Sequence, residues 1–248
     1  MSVVPAQNGG YFFGKINNQA NGTNSSFDFF NMNPIQHARL SARRRGGVPD
    51  DYVAIHALID STKMLCSDNR HRILHTFWAV QEVVIPVFGH TLRNSEGREV
   101  DIKDLCEQDH LLPDFQHRFI PTLSDFVAAM DEVPTDGLAQ RIERFHADVV
   151  QDTTMSARLL SPLAATGRLA SLLITHNSWF VHTMLPMMGY RRPALMDLMS
   201  PACVFDAMRF ELWMDNGADV PPSARRLPAS VSNKPISAPV CSTVLFAH

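Results

Sequence analysis

The chain has 248 residues, 45% of them hydrophobic and 19% charged. That balance fills an apolar core and excludes a peptide, a coil or a disordered tail. A net charge of −3 offers no electrostatic footprint for a polyanion, so nucleic acid is not an expected partner. Cys66, Cys106, Cys203 and Cys241 are scattered without a CxxC pair, which excludes a disulfide framework or thiolate zinc finger and points to a reducing compartment.

Residues 1–47 read as an N-terminal arm, rich in Asn and Gly as far as residue 36. The arm lacks an apolar h-region, and Lys15 is its only basic residue before His37, so neither a secretory signal nor a typical transit peptide is legible. An intracellular compartment or a particle interior is the expected location. Phe12, Phe13, Phe29 and Phe30 would each forfeit roughly 1.5–3 kcal/mol of burial in water, so the arm is expected to dock on its own body or on another protein. Arg39, Arg43, Arg44 and Arg45 precede Gly46-Gly47 and read as a solvated hinge, with phosphate binding as the sharper alternative.

The body that follows is helical in its periodicity. Asp50 and Asp51 are expected to cap a helix reaching Cys66, with Tyr52, Ile55 and Ile59 on its core face. Asp68 is expected to cap a second, running from Asn69 to Pro86 with Ile73, Phe77, Val80 and Val84 inward. A turn is expected at Asn94-Ser95-Glu96-Gly97, then a short helix over 102–111 and another opened by a Thr122/Asp125 capping box. Leu138, Ile142, Phe145 and Val149 mark an amphipathic helix. A long apolar helix is read over 163–185, where His176, Asn177 and His182 favour a buried core element over a membrane span. Ser200-Pro201 opens a last helix stopping before Gly217, and the Pro-rich stretch 219–248, with Phe246 near its end, reads as an extended strap.

The fold class expected is therefore mainly α, a compact helical body of about six to eight helices with extended N- and C-terminal arms. The boundaries read as an arm over 1–47, a small His-rich helical domain over 48–131, a second helical half over 132–218 and an arm over 219–248. An echo links the halves: His75-x-x-Trp78, Pro86 and Gly89 recur as His176-x-x-Trp179, Pro186 and Gly189.

Six of the 11 histidines fall within residues 56–117. On a helix, positions i and i+4 share a face, which pairs His56 with Asp60 and His71 with His75, while Glu107 and His110 have the i, i+3 spacing used to ligate a metal from one helix. His56, Asp60, His71, His75, Glu107 and His110 are thus candidate ligands for Zn²⁺ or Fe²⁺. Against this, the same residues could bond backbone carbonyls or pair with Arg70 and Arg72.

Pro49-Asp50-Asp51-Tyr52, His56-x-x-x-Asp60-Ser61-Thr62-Lys63, Asp68-x-Arg70-His71-Arg72-x-x-His75, Asn94-Ser95-Glu96-Gly97, Glu107-Gln108 and Ile120-Pro121-Thr122 together resemble a family of short, uncharacterised bacterial and phage proteins. The resemblance covers residues 48–127. It implies a small helical domain whose polar residues form one unit, and it carries no assigned activity. The family reads Glu-Gln-His without interruption, whereas Asp109 intervenes here before His110.

Two functions follow as expectations. The first is a structural or accessory subunit of a larger assembly, strapped by its arms to other protein subunits through Phe12, Phe13, Phe29, Phe30 and Phe246. The second is a metal-dependent enzyme, possibly a hydrolase, with Glu107 as general base and Arg70 or Arg72 steering an anionic substrate.

Overall fold

The computed structural model describes residues 32–130, 135–149, 152–191, 201–208 and 221. The candidate partner contacts Phe12, Phe13, Phe29, Phe30 and Phe246 lie outside the described residues, as does the C-terminal strap apart from Pro221. The described part is mainly α-helical, with one two-stranded sheet. No helix among the described residues is long and apolar enough to cross a membrane.

Part of the stretch read as an arm is instead helix. α1 (Pro34–Arg45) starts at Asn33, whose side chain accepts from Gln36 N while Gln36 reaches back to Asn33 N, a full capping box with Pro at the first helical position. Its buried side chains are His37, Ala38 and Ser41. Nor do its arginines form a free hinge. Arg44 and Arg45 both bind the Asp109 carboxylate, at 2.8 and 2.5 Å, and Arg45 also pairs with Asp104. Asp109→Ala is expected to lower stability by about 2–3 kcal/mol, less than a fully buried broken pair costs because half-exposed Arg44 can rehydrate, read as a fall in the urea midpoint.

Three helices expected as single runs are broken. The first divides into a 3₁₀ turn (Pro49–Asp51), α2 (Val53–Ile59) and a second 3₁₀ segment (Asp60–Met64). Asp51 does not cap α2; its carboxylate accepts from Val48 N and from Ser95, tying this corner to the hairpin turn. The second divides at His75: a 3₁₀ segment (Asn69–Leu74) stops, and extended Thr76 caps a new helix, its Oγ1 accepting from Ala79 N. Ile73, Val80 and Val84 are buried as expected, but Phe77 faces outward. The long apolar helix is likewise two pieces, Thr153–Thr166 and a run through Phe180–Met184 to Met187. Left-handed Gly167 ends the first, and a 3₁₀ segment (Leu169–Ile174) separates them.

Strands β1 (Thr91–Arg93) and β2 (Glu99–Asp101) pair antiparallel with Leu92 opposite Val100. Asn94 organises the turn between them, accepting from Glu96 N and Arg98 N and donating to Arg45 O and Tyr52 Oη. The Thr122/Asp125 box opens a helix at Leu123–Val127 as expected.

Each of three π-helical turns, Val80–Val84, Glu107–Leu111 and Phe180–Met184, is followed at its second residue by a proline: Pro86, Pro113 and Pro186. A proline inside a helix lacks the N–H for the i−4 carbonyl and crowds it, and the wider π turn relieves that clash.

Residues 53–89 and 153–189 carry the same series of element starts one hundred residues apart, with the histidine and the cap at the joint shifted by one further residue. Helices start at Val53 and Thr153, 3₁₀ segments run from Asn69 and Leu169, π turns start at Val80 and Phe180, and Gly89 and Gly189 share positive φ angles of 86° and 88°. Thr76 and Asn177 both cap through a side-chain oxygen. The halves pack through Trp78 Nε1, which donates to Ser161 Oγ, and the Arg158–Glu82 ion pair. Arg70 also donates to the Phe205 carbonyl. One core holds both, with Tyr52, Ile59, Leu74, Leu105, Phe126, Leu159 and Phe180 fully buried.

Candidate metal centre

Breaks in the helices deliver the polar side chains to one point. Asp60 lies where α2 tightens into its 3₁₀ segment, and His75 occupies the joint between the 3₁₀ segment and the Thr76 cap. His110 lies on the π turn, and Asp114 follows it at i+4, on the same face of the helix. All four are at most 5% exposed, and one ligand atom from each lies within 4.8 Å of the others.

His75 Nε2 lies 3.0 Å from Asp114 Oδ2, 3.4 Å from Asp60 Oδ1 and 3.2 Å from His110 Nε2. His110 Nε2 lies 3.8 and 3.9 Å from the same two carboxylate oxygens. Neighbouring ligand atoms in a tetrahedral shell with metal–ligand bonds near 2.0–2.2 Å are about 3.3–3.6 Å apart, in the middle of these separations. Neutral imidazole nitrogens and carboxylate oxygens suit Zn²⁺ or Fe²⁺, whereas Mg²⁺ and Ca²⁺ favour oxygen alone.

Charge favours an ion as well. Two buried carboxylates sit side by side, and both oxygens of Asp60 and Oδ1 of Asp114 lack an aligned hydrogen bond, although Lys63 Nζ is 2.8 Å from Asp60 Oδ1. Burial alone would raise the Asp60 and Asp114 pKa values; the close approach of the His75 imidazole to both, and of His37 to Asp114, outweighs it and holds both below the ordinary carboxylate range. Burial would lower that of His75, but its two carboxylates raise it, while burial and neighbouring imidazoles hold His110 well below its usual value. A divalent cation would neutralise both carboxylates at once.

Around this set lies an outer layer supplied mainly by α1. His37 reaches from the Asp109 carbonyl at Nδ1 (2.8 Å) to Asp114 Oδ1 at Nε2 (3.1 Å), and its ring stacks on His110 with centroids 3.9 Å apart. His56 Nδ1 faces His110 Nδ1 at 3.0 Å and its Nε2 faces Ser41 Oγ at 2.9 Å. Burial pushes His56 down to about 3, so it is neutral. His37, His56 and His110 also bring ligand atoms within 4.8 Å, but their rings are near-parallel, at 17–27°. Lone pairs in stacked planes do not converge on one ion.

Of the expected ligands, Asp60, His75 and His110 meet at the centre, and His56 stands one layer out. His71 does not enter the group: Nδ1 donates to Asp68 O at 2.5 Å, and the ring presents an edge to His75 with centroids 5.8 Å apart. Glu107 also stays out and pairs with Lys103 at 2.9 Å. The reason is the π turn, which accommodates one residue more than an α turn. Glu107 and His110 are then spaced as if two α positions apart, about 200° around the axis instead of one shared face. The extra residue in Glu-Gln-Asp109-His is thereby absorbed, and Asp109 anchors α1. Arg70 clasps Asp68, and Arg72 donates to the Asp114 carbonyl. Neither guanidinium is placed by these bonds as an anion guide at the centre.

Sequence reasoning missed His37, Ser41 and Asp114. The legible signals were the Asn33-Pro34-x-Gln36 helix start, which moves His37 and Ser41 out of the arm, and the i, i+4 pair His110/Asp114.

Residues 32–135 match a family model described as a domain of unknown function (DUF6915). The match spans the α1 segment, the hairpin and every residue of the centre, and it ends at Thr135, the first residue of the helix Thr135–Val149. No curated protein and no solved structure matches the chain.

Proposed function

We propose that this is a metalloprotein in which Asp60, His75, His110 and Asp114 hold one divalent transition ion, Zn²⁺ or Fe²⁺, in a closed tetrahedral shell. The observation that carries the reading is the mutual spacing of the four buried ligand atoms, 3.0–3.9 Å in the five separations given above. A shell made of four protein ligands leaves no open coordination position, which suits an ion that organises structure more than one that activates water. The ion would join α2, the 3₁₀ segment at 69–74 and the helix over 102–114 at one node. This fits an accessory or assembly role, with the arms as the candidate partner contacts. Glu107, paired with Lys103, is poorly placed to be the general base of a hydrolase.

Elemental analysis of the purified full chain tests the reading. About one equivalent of Zn or Fe per chain is expected in the wild type, and Asp114→Asn and His75→Ala should each reduce it to background. Wild-type protein that holds no transition metal after purification and after incubation with Zn²⁺ or Fe²⁺ would sink the proposal.

A further inference from the structure

The geometry points to Ser41 and His56 as positioning residues of this centre: they fix His110 with its hydrogen on Nδ1 and so keep the Nε2 lone pair aimed at the ion. This rests on the metal reading above for its functional meaning, though the tautomer can be read without any metal. Ser41, His56 and His110 form one buried line, Oγ to Nε2 at 2.9 Å and Nδ1 to Nδ1 at 3.0 Å, with each residue 0% exposed.

A line of neutral imidazoles has two polarities, because only one nitrogen of each ring carries hydrogen. In the first, His110 Nδ1–H donates to His56 Nδ1, and His56 Nε2–H donates to Ser41 Oγ. His110 Nε2 is then a bare lone pair, the state a metal ligand requires. In the reverse, Ser41 donates to His56, His56 donates to His110, and a hydrogen on His110 Nε2 points into the centre, where His75 Nε2 lies at 3.2 Å. That hydrogen would occupy the ion's place.

Two features permit the first polarity and a third selects it. Ser41 can accept as readily as donate, so it can terminate the line in either sense. The His37 ring stacked on His110 at 3.9 Å holds the imidazole plane, so the Nδ1 contact cannot be exchanged by a ring flip without opening the stack. Finally, without an ion His75 Nε2 directs its hydrogen to Asp114 Oδ2 at 3.0 Å, and a second hydrogen on His110 Nε2, 3.2 Å away, would crowd it; with an ion bound, the metal itself needs that lone pair. Outer partners of this kind orient a ligand and raise its basicity, and removing one costs about 10–100-fold in metal affinity.

The test uses the full chain labelled with ¹⁵N in histidine, examined by long-range ¹H–¹⁵N correlation with Zn²⁺ and after chelation, alongside Zn²⁺ affinity by competition with a chromophoric chelator. His110 is expected to carry its hydrogen on Nδ1 in both states. His56→Leu should weaken Zn²⁺ binding by about 10–100-fold and Ser41→Ala by about 10-fold. His56→Asn keeps an acceptor at the δ position and should recover most of the loss. A hydrogen on His110 Nε2, or equal weakening by His56→Leu and His56→Asn, overturns the inference. Wild-type protein that binds no Zn²⁺ overturns the metal reading instead, while the ion-free spectrum still decides the tautomer.

Discussion

Removal of the ion with a chelator is expected to lower the thermal midpoint by about 8–16 °C, and one equivalent of Zn²⁺ should restore it. A ligand present at a thousand times its Kd stabilises by about 4.1 kcal/mol, and each kcal/mol moves the midpoint of a domain of this size by about 2–4 °C. The source of the effect is local. Asp60, His75, His110 and Asp114 come from three separate stretches of chain, and without the cation two carboxylates share a site that is almost closed to water. Asp114→Asn separates the ion from the fold, because it removes a ligand and a like charge together. Its midpoint should be the same with and without Zn²⁺, and close to that of the chelated wild type. A wild-type midpoint that ignores chelator, Zn²⁺ and Fe²⁺ alike would remove the ion from any structural role.

A second large effect is expected from acid. Burial holds His56 down at about 3, His71 at about 4 and His176 at about 4, against 6.5 for a solvated imidazole. The unfolded chain therefore takes up protons below pH 6.5 that these folded rings refuse, so stability falls as pH drops from 6.5 towards 4. Each pKa unit corresponds to about 1.4 kcal/mol, so the combined loss is several kcal/mol. His75 works in the opposite sense: its raised value contributes stability below 6.5 that is lost as pH rises. In chelator, urea midpoints should decline steeply between pH 6.5 and 4.5, and His176→Asn should flatten the decline. A flat profile over that interval would show that these imidazoles are protonated in the folded protein.

The apolar periodicities made the helical class legible, and the spacing around His56, His75 and His110 made most of the centre legible. Where the reading failed, a local event had overridden period. Thr76 offers its hydroxyl to Ala79 N and so breaks a stripe that would otherwise run from Ile73 to Val84. Pro113 forces a π turn upstream, which rotates Glu107 away from His110. Asn-rich sequence around residues 1–36 concealed a capping box at Asn33, and with it His37 and Ser41. No spacing rule links Asp60 to Asp114, because the contact depends on tertiary packing.

The like construction of the two halves has a consequence for how the molecule depends on its surroundings. In the shared register, Leu160 stands where Asp60 stands, and Ser156 where His56 stands. The second half keeps a histidine at the equivalent joint, but His176 Nε2 meets His146 Nε2 at 2.9 Å, and Ser156 Oγ lies 3.2 Å from the other nitrogen of His146. That trio can satisfy itself with hydrogen bonds, needing neither carboxylate nor cation. One architecture thus has its central joint filled in two ways, by carboxylates among imidazoles and by self-contained polar pairing. Among the described residues the grouping that would answer to metal supply lies in the first half, and because one core holds both halves its loss would be felt by the second as well.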